Sequence, residues 1–102
     1  MNKWIGMGRL TKDPETRYTQ NNKAVTTFTI AINRRFNKDE TDFIPVVTWG
    51  KTAEFAGNYF TKGLQVAVIG SVQTRTYESN GTKHYVTEVI ADEVYFADSK
   101  RD

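Results

Sequence analysis

The 102-residue chain has no cysteine, two prolines, one histidine and no long apolar run. Each shortage closes off a class of protein. Without thiols there are no disulfides, no thiolate-held structural zinc and no iron–sulfur cluster. No stretch approaches the roughly 20 apolar residues that a bilayer-spanning helix needs. The first residues, Met1-Asn2-Lys3-Trp4-Ile5-Gly6, show no signal-peptide pattern. A cytoplasmic domain is therefore expected. The one histidine, His84, lies on a strand-like segment after a turn signal and reads as a surface residue, not a catalytic base. Asp39, Glu40 and Asp42 share a polar loop but lack the regular ligand spacing of a calcium loop, so no metal and no cofactor is expected. Asn80-Gly81-Thr82 reads as a turn before it reads as a glycosylation sequon. With no Gly-rich phosphate loop either, the chain does not read as an enzyme.

What is present is a strong period of two. In Ala24 to Ile32, the residues Phe28, Ile30 and Ile32 share one face, and Val25, Thr27, Thr29 and Ala31 share the other. Strands are also expected over Trp4 to Leu10, Phe43 to Trp49, Leu64 to Tyr77 and His84 to Phe96. Pro45 cannot donate to a ladder, which points to an edge or a bulge there. Asn80-Gly81 predicts a tight turn joining the last two strands. Only Thr52 to Lys62 has helical spacing, in Ala53, Ala56, Tyr59 and Phe60, with Thr52 as N-cap and Gly63 as stop. The order predicts an all-β domain: a five-stranded OB-fold Greek-key barrel with one short helix between the third and fourth strands. Its length fits a single domain over residues 1–102, with a core at about 2–97 and a short polar end at 98–102.

Charge is unevenly spread. Residues 1–36 hold seven bases and two acids, a balance of +5, while residues 88–102 hold five acids and two bases, a balance of −3. Such segregation suits a polyanion at one surface, although ordinary scatter of surface charge reads equally well from charge alone. Aromatic residues add a second sign. Phe36 and Phe43 flank the polar loop at 37–42, Trp49 lies further along the third predicted strand, and Tyr77 sits just before the hairpin turn. Bases accompany them: Arg34 and Arg35 before Phe36, Lys51 after Trp49, Arg75 before Tyr77. Flat rings among cations can stack bases and hold phosphates without reading sequence. The competing reading makes Trp49 a core or interface residue and Tyr77 a cover for the hairpin.

Several blocks of the sequence resemble the bacterial single-stranded DNA-binding protein family. They are Asn2-Lys3 with Gly8-Arg9-Leu10-Thr11-Lys12-Asp13-Pro14-Glu15 and Arg17-Tyr18-Thr19; Ala24-Val25 with Phe28-Thr29-Ile30-Ala31; Trp49-Gly50-Lys51; Asn58 to Gly63; and Gln73 to Tyr77 with Tyr85 to Val89. Together they span about residues 2–97. The resemblance implies binding and protection of single-stranded DNA in replication, recombination and repair, with bases stacked on Phe36, Phe43, Trp49 and Tyr77. It implies phosphate contacts from Lys3, Arg17, Lys51, Lys62 and Arg75, to which charge and proximity add Arg34 and Arg35. A homo-oligomer, most often a tetramer, is implied as well.

The sequence departs from the family pattern at Trp4, Gly6 and Ile44. Trp4 reads either as a core or subunit-interface residue or as a fifth stacking platform. No Gly/Pro/Gln-rich linker and acidic tip follow Asp102 here, so partner recruitment through such a tail is not expected of this chain. The competing function is that of a primosomal OB-fold adaptor, which binds DNA only within a complex.

Overall fold

The period-two segments form strands whose buried faces are those the alternation marks. A computed structural model describes residues 1–98, so the polar end expected at 98–102 lies outside the described residues from 99 onward. The elements run β1 (Trp4–Leu10), β2 (Glu15–Tyr18), β3 (Ala24–Asn33), β4 (Thr41–Trp49), α1 (Gly50–Tyr59), β5 (Gln65–Ser79) and β6 (Thr82–Phe96). Phe28 and Ile30 of β3, Val46 of β4, Val66 and Val68 of β5 and Val89 of β6 all point inward and are buried.

Neighbouring strands follow the order β1-β5-β6-β4-β3-β2, and β1 also pairs with β3 at Arg9↔Ala31 and Leu10↔Ile30. That extra pairing closes a ring of five strands. All contacts in it are antiparallel except β4–β6, which runs parallel at Val46↔Val89 and Val47↔Ile90. A closed all-β ring with one helix between the third and fourth ring strands is the OB-fold arrangement expected from the sequence.

A sixth strand was not expected. β2 pairs with the first half of β3, from Glu15↔Thr27 to Tyr18↔Ala24, and so continues the edge that β1 leaves at Leu10. Its four residues, Glu-Thr-Arg-Tyr, are all exposed, so burial imprints no apolar alternation on them. Pro45 sits one residue before the β4–β6 ladder begins, where β4 is locally an edge and its missing N–H costs nothing.

The helix also differs from expectation. It runs from Gly50 to Tyr59, not from Thr52 to Lys62, and its N-cap is Trp49, which makes no side-chain capping bond. At the other end Phe60 leaves the helix in an extended conformation and is buried, its ring edge-on to Phe28 at 5.6 Å. Burying that ring ends the helix before Gly63 is reached. Ala53 and Ala56 are the buried residues of α1.

β5 and β6 form a hairpin of 15 residues per strand, joined through Asn80 and Gly81 with positive φ at both, as the turn signal predicts. Along it Ile69 faces Glu93 while Gly70 faces Ala91, so Asp92 is left out of the ladder. The bulge keeps Val94, beyond it, on the core side.

Candidate nucleic-acid interface

The register decides which side chains share the outer wall of the ring. On β3 and β4 the facing pairs are Val25↔Trp49, Thr27↔Val47, Thr29↔Pro45 and Ala31↔Phe43. Their inward neighbours, Thr26, Phe28, Ile30, Val46 and Thr48, are buried. Phe43 and Trp49 therefore point outward from the same face of β4. Arg17 of β2 pairs with Val25 and joins that face. The wall continues through the parallel pair Val47↔Ile90 to Glu88 on β6, and across Gln73↔Glu88 and Arg75↔Val86 to β5. Tyr77 stands two residues beyond Arg75 on the same side.

The wall is concave. A hollow of about 700 Å³ is bounded by Arg17, Trp49, Gln73, Arg75 and Glu88 among others, and a second of about 330 Å³ shares Arg17, Arg75 and Glu88 with it. The second reaches Lys12, Asp13 and Glu15 at its far end. Three of the four expected stacking rings thus line or flank one groove. All four are open to solvent: Phe36 is 91% exposed, Phe43 62%, Tyr77 46% and Trp49 41%. Phe36 is carried by the β3–β4 loop, outside the groove floor. These exposures remove the reading of Trp49 as a core residue within one chain.

Cations sit over three of the rings. Lys23 Nζ is 5.5 Å from the Trp49 ring centre, the Arg35 guanidinium 5.3 Å from that of Phe36, and the Arg75 guanidinium 5.7 Å from that of Tyr77. Lys23 was not among the expected residues. It follows the Asn21-Asn22 turn and is far from Trp49 in sequence, and only the Val25↔Trp49 pairing brings the two together. His84 was also assigned no role, yet it stands opposite Tyr77 and stacks on it, with centres 4.9 Å apart and planes 18° from parallel.

The basic residues divide into groups. Arg17 and Arg75 line the groove, and Arg35 lies over Phe36. Lys51 is exposed in the first turn of α1, directly after the Trp49 end of β4. Lys3 is exposed next to Asn2, whose side chain both donates to the Val72 carbonyl (2.8 Å) and accepts from the Val72 N–H (2.9 Å). That clamp holds Lys3 beside the middle of β5. Lys62 is exposed at the Asp13 end, where its backbone N–H donates to the Asp13 carboxylate at 2.8 Å. Arg34 differs from the rest. Its guanidinium donates to Glu40 at 2.6 Å and to Asp42 at 3.0 Å, so its charge is compensated within the loop that carries Phe36. The bond to Asp42 holds that carboxyl below its ordinary pKa and raises the pKa of Arg34.

Two departures from the family pattern explain one another. The Trp4 ring packs against the core and lies directly over Gly6, where any Cβ would collide with the indole. A large residue at 4 is matched by no side chain at 6, and Trp4 is half-buried packing in this chain. Ile44, the third departure, also packs on the core.

A closed OB ring whose outer wall interleaves exposed aromatics with guanidinium groups defines an oligonucleotide-binding module. Sequence comparison is more specific. The model of the single-strand binding protein family matches residues 1–97. A single-stranded DNA-binding protein of Clostridium tetani is 55% identical over 101 residues, covering 94% of this chain and 70% of the relative. A protein of the same name from Caldanaerobacter subterraneus is 53% identical, covering 98% and 70%. Single-stranded DNA-binding protein 2 of Clostridium acetobutylicum is 51% identical, covering all of this chain and 80% of the relative. The chain belongs to the single-strand binding protein family.

Proposed function

We propose that this chain binds single-stranded DNA without sequence preference along the outer wall of β2–β3–β4–β6–β5. The observation that carries the reading is the grouping of Phe43, Trp49 and Tyr77 with Arg17 and Arg75 around one groove, with Phe36 and Arg35 on the adjoining loop. A base stacked on such a ring gains about 1–3 kcal/mol whatever its identity, because every base has a π-face. Lys3, Lys51 and Lys62 around the rim, and Lys23 over Trp49, supply phosphate contacts. Arg34 shapes the loop more than it meets DNA, given its two carboxylate partners. Covering exposed strands serves replication, recombination and repair, and a cytoplasmic location goes with that work. The protein is a binding protein, not an enzyme.

It acts as a homo-oligomer, which we take to be a tetramer. Two features support contact through β1. Ile5 and Met7 are 69% and 51% exposed and form an apolar stripe. From Trp4 to Gly8 the strand pairs with β5 alone, which leaves its other edge free.

Titration with oligo-dT, followed by tryptophan fluorescence, tests the reading. Trp49 should quench strongly at low salt, and a Trp49→Phe variant, which leaves only Trp4, should lose most of that change. Affinity should fall with salt at about −0.7 in log–log slope per phosphate neutralised. An adaptor with little DNA contact of its own would show no quenching at low salt, and that result would refute the proposal.

A further inference from the structure

The floor of the groove contains a buried group that electrostatics alone would remove. Glu88 lies on its floor in both hollows, and it is the sole buried carboxylate among the described residues. A carboxylate facing a polyanion repels it. Its side chain is only 10% exposed, and Oε1 accepts a 2.8 Å bond from Nε of Arg75. That bond is side-on. It uses the inner nitrogen of the guanidinium, while the two terminal nitrogens have no partner among the described residues. Arg75 itself is 56% exposed and lies over Tyr77. One end of the fork is therefore fixed by a buried anion, and the other is presented to the groove beside a stacking ring.

We infer that Glu88 is a positioning residue for DNA binding. It clamps Arg75 through Nε so that the terminal amino groups meet a phosphate while the guanidinium stays against Tyr77. A free arginine side chain would spend rotamer entropy to reach that geometry, and the charge-assisted bond removes the cost before DNA arrives. The benefit outweighs the repulsion because Glu88 is covered by Arg75, so the groove meets a neutral pair with its donors outward instead of a bare carboxylate. The same pairing explains why an acid from the acidic C-terminal stretch lies inside the basic surface.

This inference rests on the outer wall being the DNA face, and the experiment separates the two. Oligo-dT affinity is measured for the wild-type chain, Glu88→Ala, Glu88→Gln, Arg75→Ala and the Glu88→Ala/Arg75→Ala double variant, each checked for folding by thermal melting. Glu88→Ala adds a unit of positive charge to the face yet should bind roughly three- to tenfold more weakly, the scale of one lost hydrogen-bonded contact. Its salt slope should shrink by about 0.7 as Arg75 disengages. Glu88→Gln keeps an acceptor oxygen for Nε and should lie closer to wild type than Glu88→Ala. In the Arg75→Ala background, removing Glu88 should cost nothing further. Equal or tighter binding by Glu88→Ala and Glu88→Gln would overturn the inference, as would an undiminished loss in the Arg75→Ala background. Failure of the wild-type chain to bind would instead overturn the proposed function. Should Glu88→Ala fail to fold, Glu88→Gln and the slope comparison decide the matter alone: binding tighter than wild type with an unchanged or steeper slope overturns it.

Discussion

The ring exposes apolar side chains on two sectors of the same outer wall, and the sectors are built differently. One, on β2, β3, β4 and the distal half of the β5–β6 hairpin, carries Phe43, Trp49 and Tyr77 among Arg17, Arg75 and Lys23. The other, on β1 and the proximal half of the hairpin, carries Ile5, Met7, Ala67, Ile69 and Tyr95, paired in register across the strands. There the nearest arginine, Arg9, is tied to Asp98 at 3.1 Å and to the Gly63 carbonyl at 2.9 Å, and the Tyr95 hydroxyl donates to Glu93. Exposed apolar surface is thus not what marks the proposed nucleic-acid face. The mark is flat rings with cations beside them that keep donors open to the groove, as Arg75 does despite its bond to Glu88, and aliphatic surface with its charges paired off suits another protein surface.

The sharpest way to break the comparison is to remove a ring. Trp49→Ala and Phe43→Ala should each weaken oligonucleotide binding by roughly 5- to 150-fold, the equivalent of 1–3 kcal/mol per stacked base, and should do so alike for dT, dC and dA oligomers. A loss confined to one base would contradict stacking as the source of affinity. Neither variant should lower the melting temperature much, since both rings are already exposed.

Met7→Asp probes the other sector. A charge placed in the centre of an aliphatic interface should shift the oligomer toward smaller species in sedimentation or mass photometry, while the folded chain keeps its stability because Met7 is 51% exposed. DNA-induced tryptophan quenching should survive in the smaller species. An unchanged mass would place subunit contact elsewhere.

The smallest effect concerns the loop that carries Phe36. Hydrogen bonding from Arg34 lowers the Asp42 pKa from its ordinary 3.8, so the pair's contribution is complete above that value and is lost as pH falls through the lowered one. Both groups are solvent-exposed, so overall stability at neutral pH should barely respond to Asp42→Asn. In an acid titration by NMR, the Asp42 side-chain carboxyl signal should move with a midpoint below 3.8. A midpoint at or above it would show that the pairing does not order the loop in solution.

Much of the fold was legible because burial imprints itself on sequence wherever a strand has one face in the core. β3 is the clearest case, with Phe28 and Ile30 inward and Thr27 and Thr29 outward. β2 was not legible for the same reason reversed: none of its residues is buried, so Glu15 to Tyr18 carries no alternation. The helix end was misread because Gly63 gives a local stop signal, while the actual stop is Phe60 turning inward to meet Phe28. On the proposed interface, ring–cation pairs that are close in sequence, such as Arg35-Phe36 and Arg75 near Tyr77, could be read directly. Lys23 over Trp49 and His84 on Tyr77 could not, because each pair is joined by strand register across a long stretch of chain.

The strands with a buried face, the hairpin turn and the family can be read along the chain, because period, turn chemistry and ordered motifs are local properties. Which bases keep their charge open depends on what folding places beside them. Arg34 and Arg35 are adjacent and chemically alike, yet one is bound to Glu40 and Asp42 and the other lies open over Phe36. Glu88 belongs by sequence to the acidic end of the chain, and by structure it sits inside the basic groove holding Arg75. Charge acts through distance in space, and distance in space is what strand pairing sets.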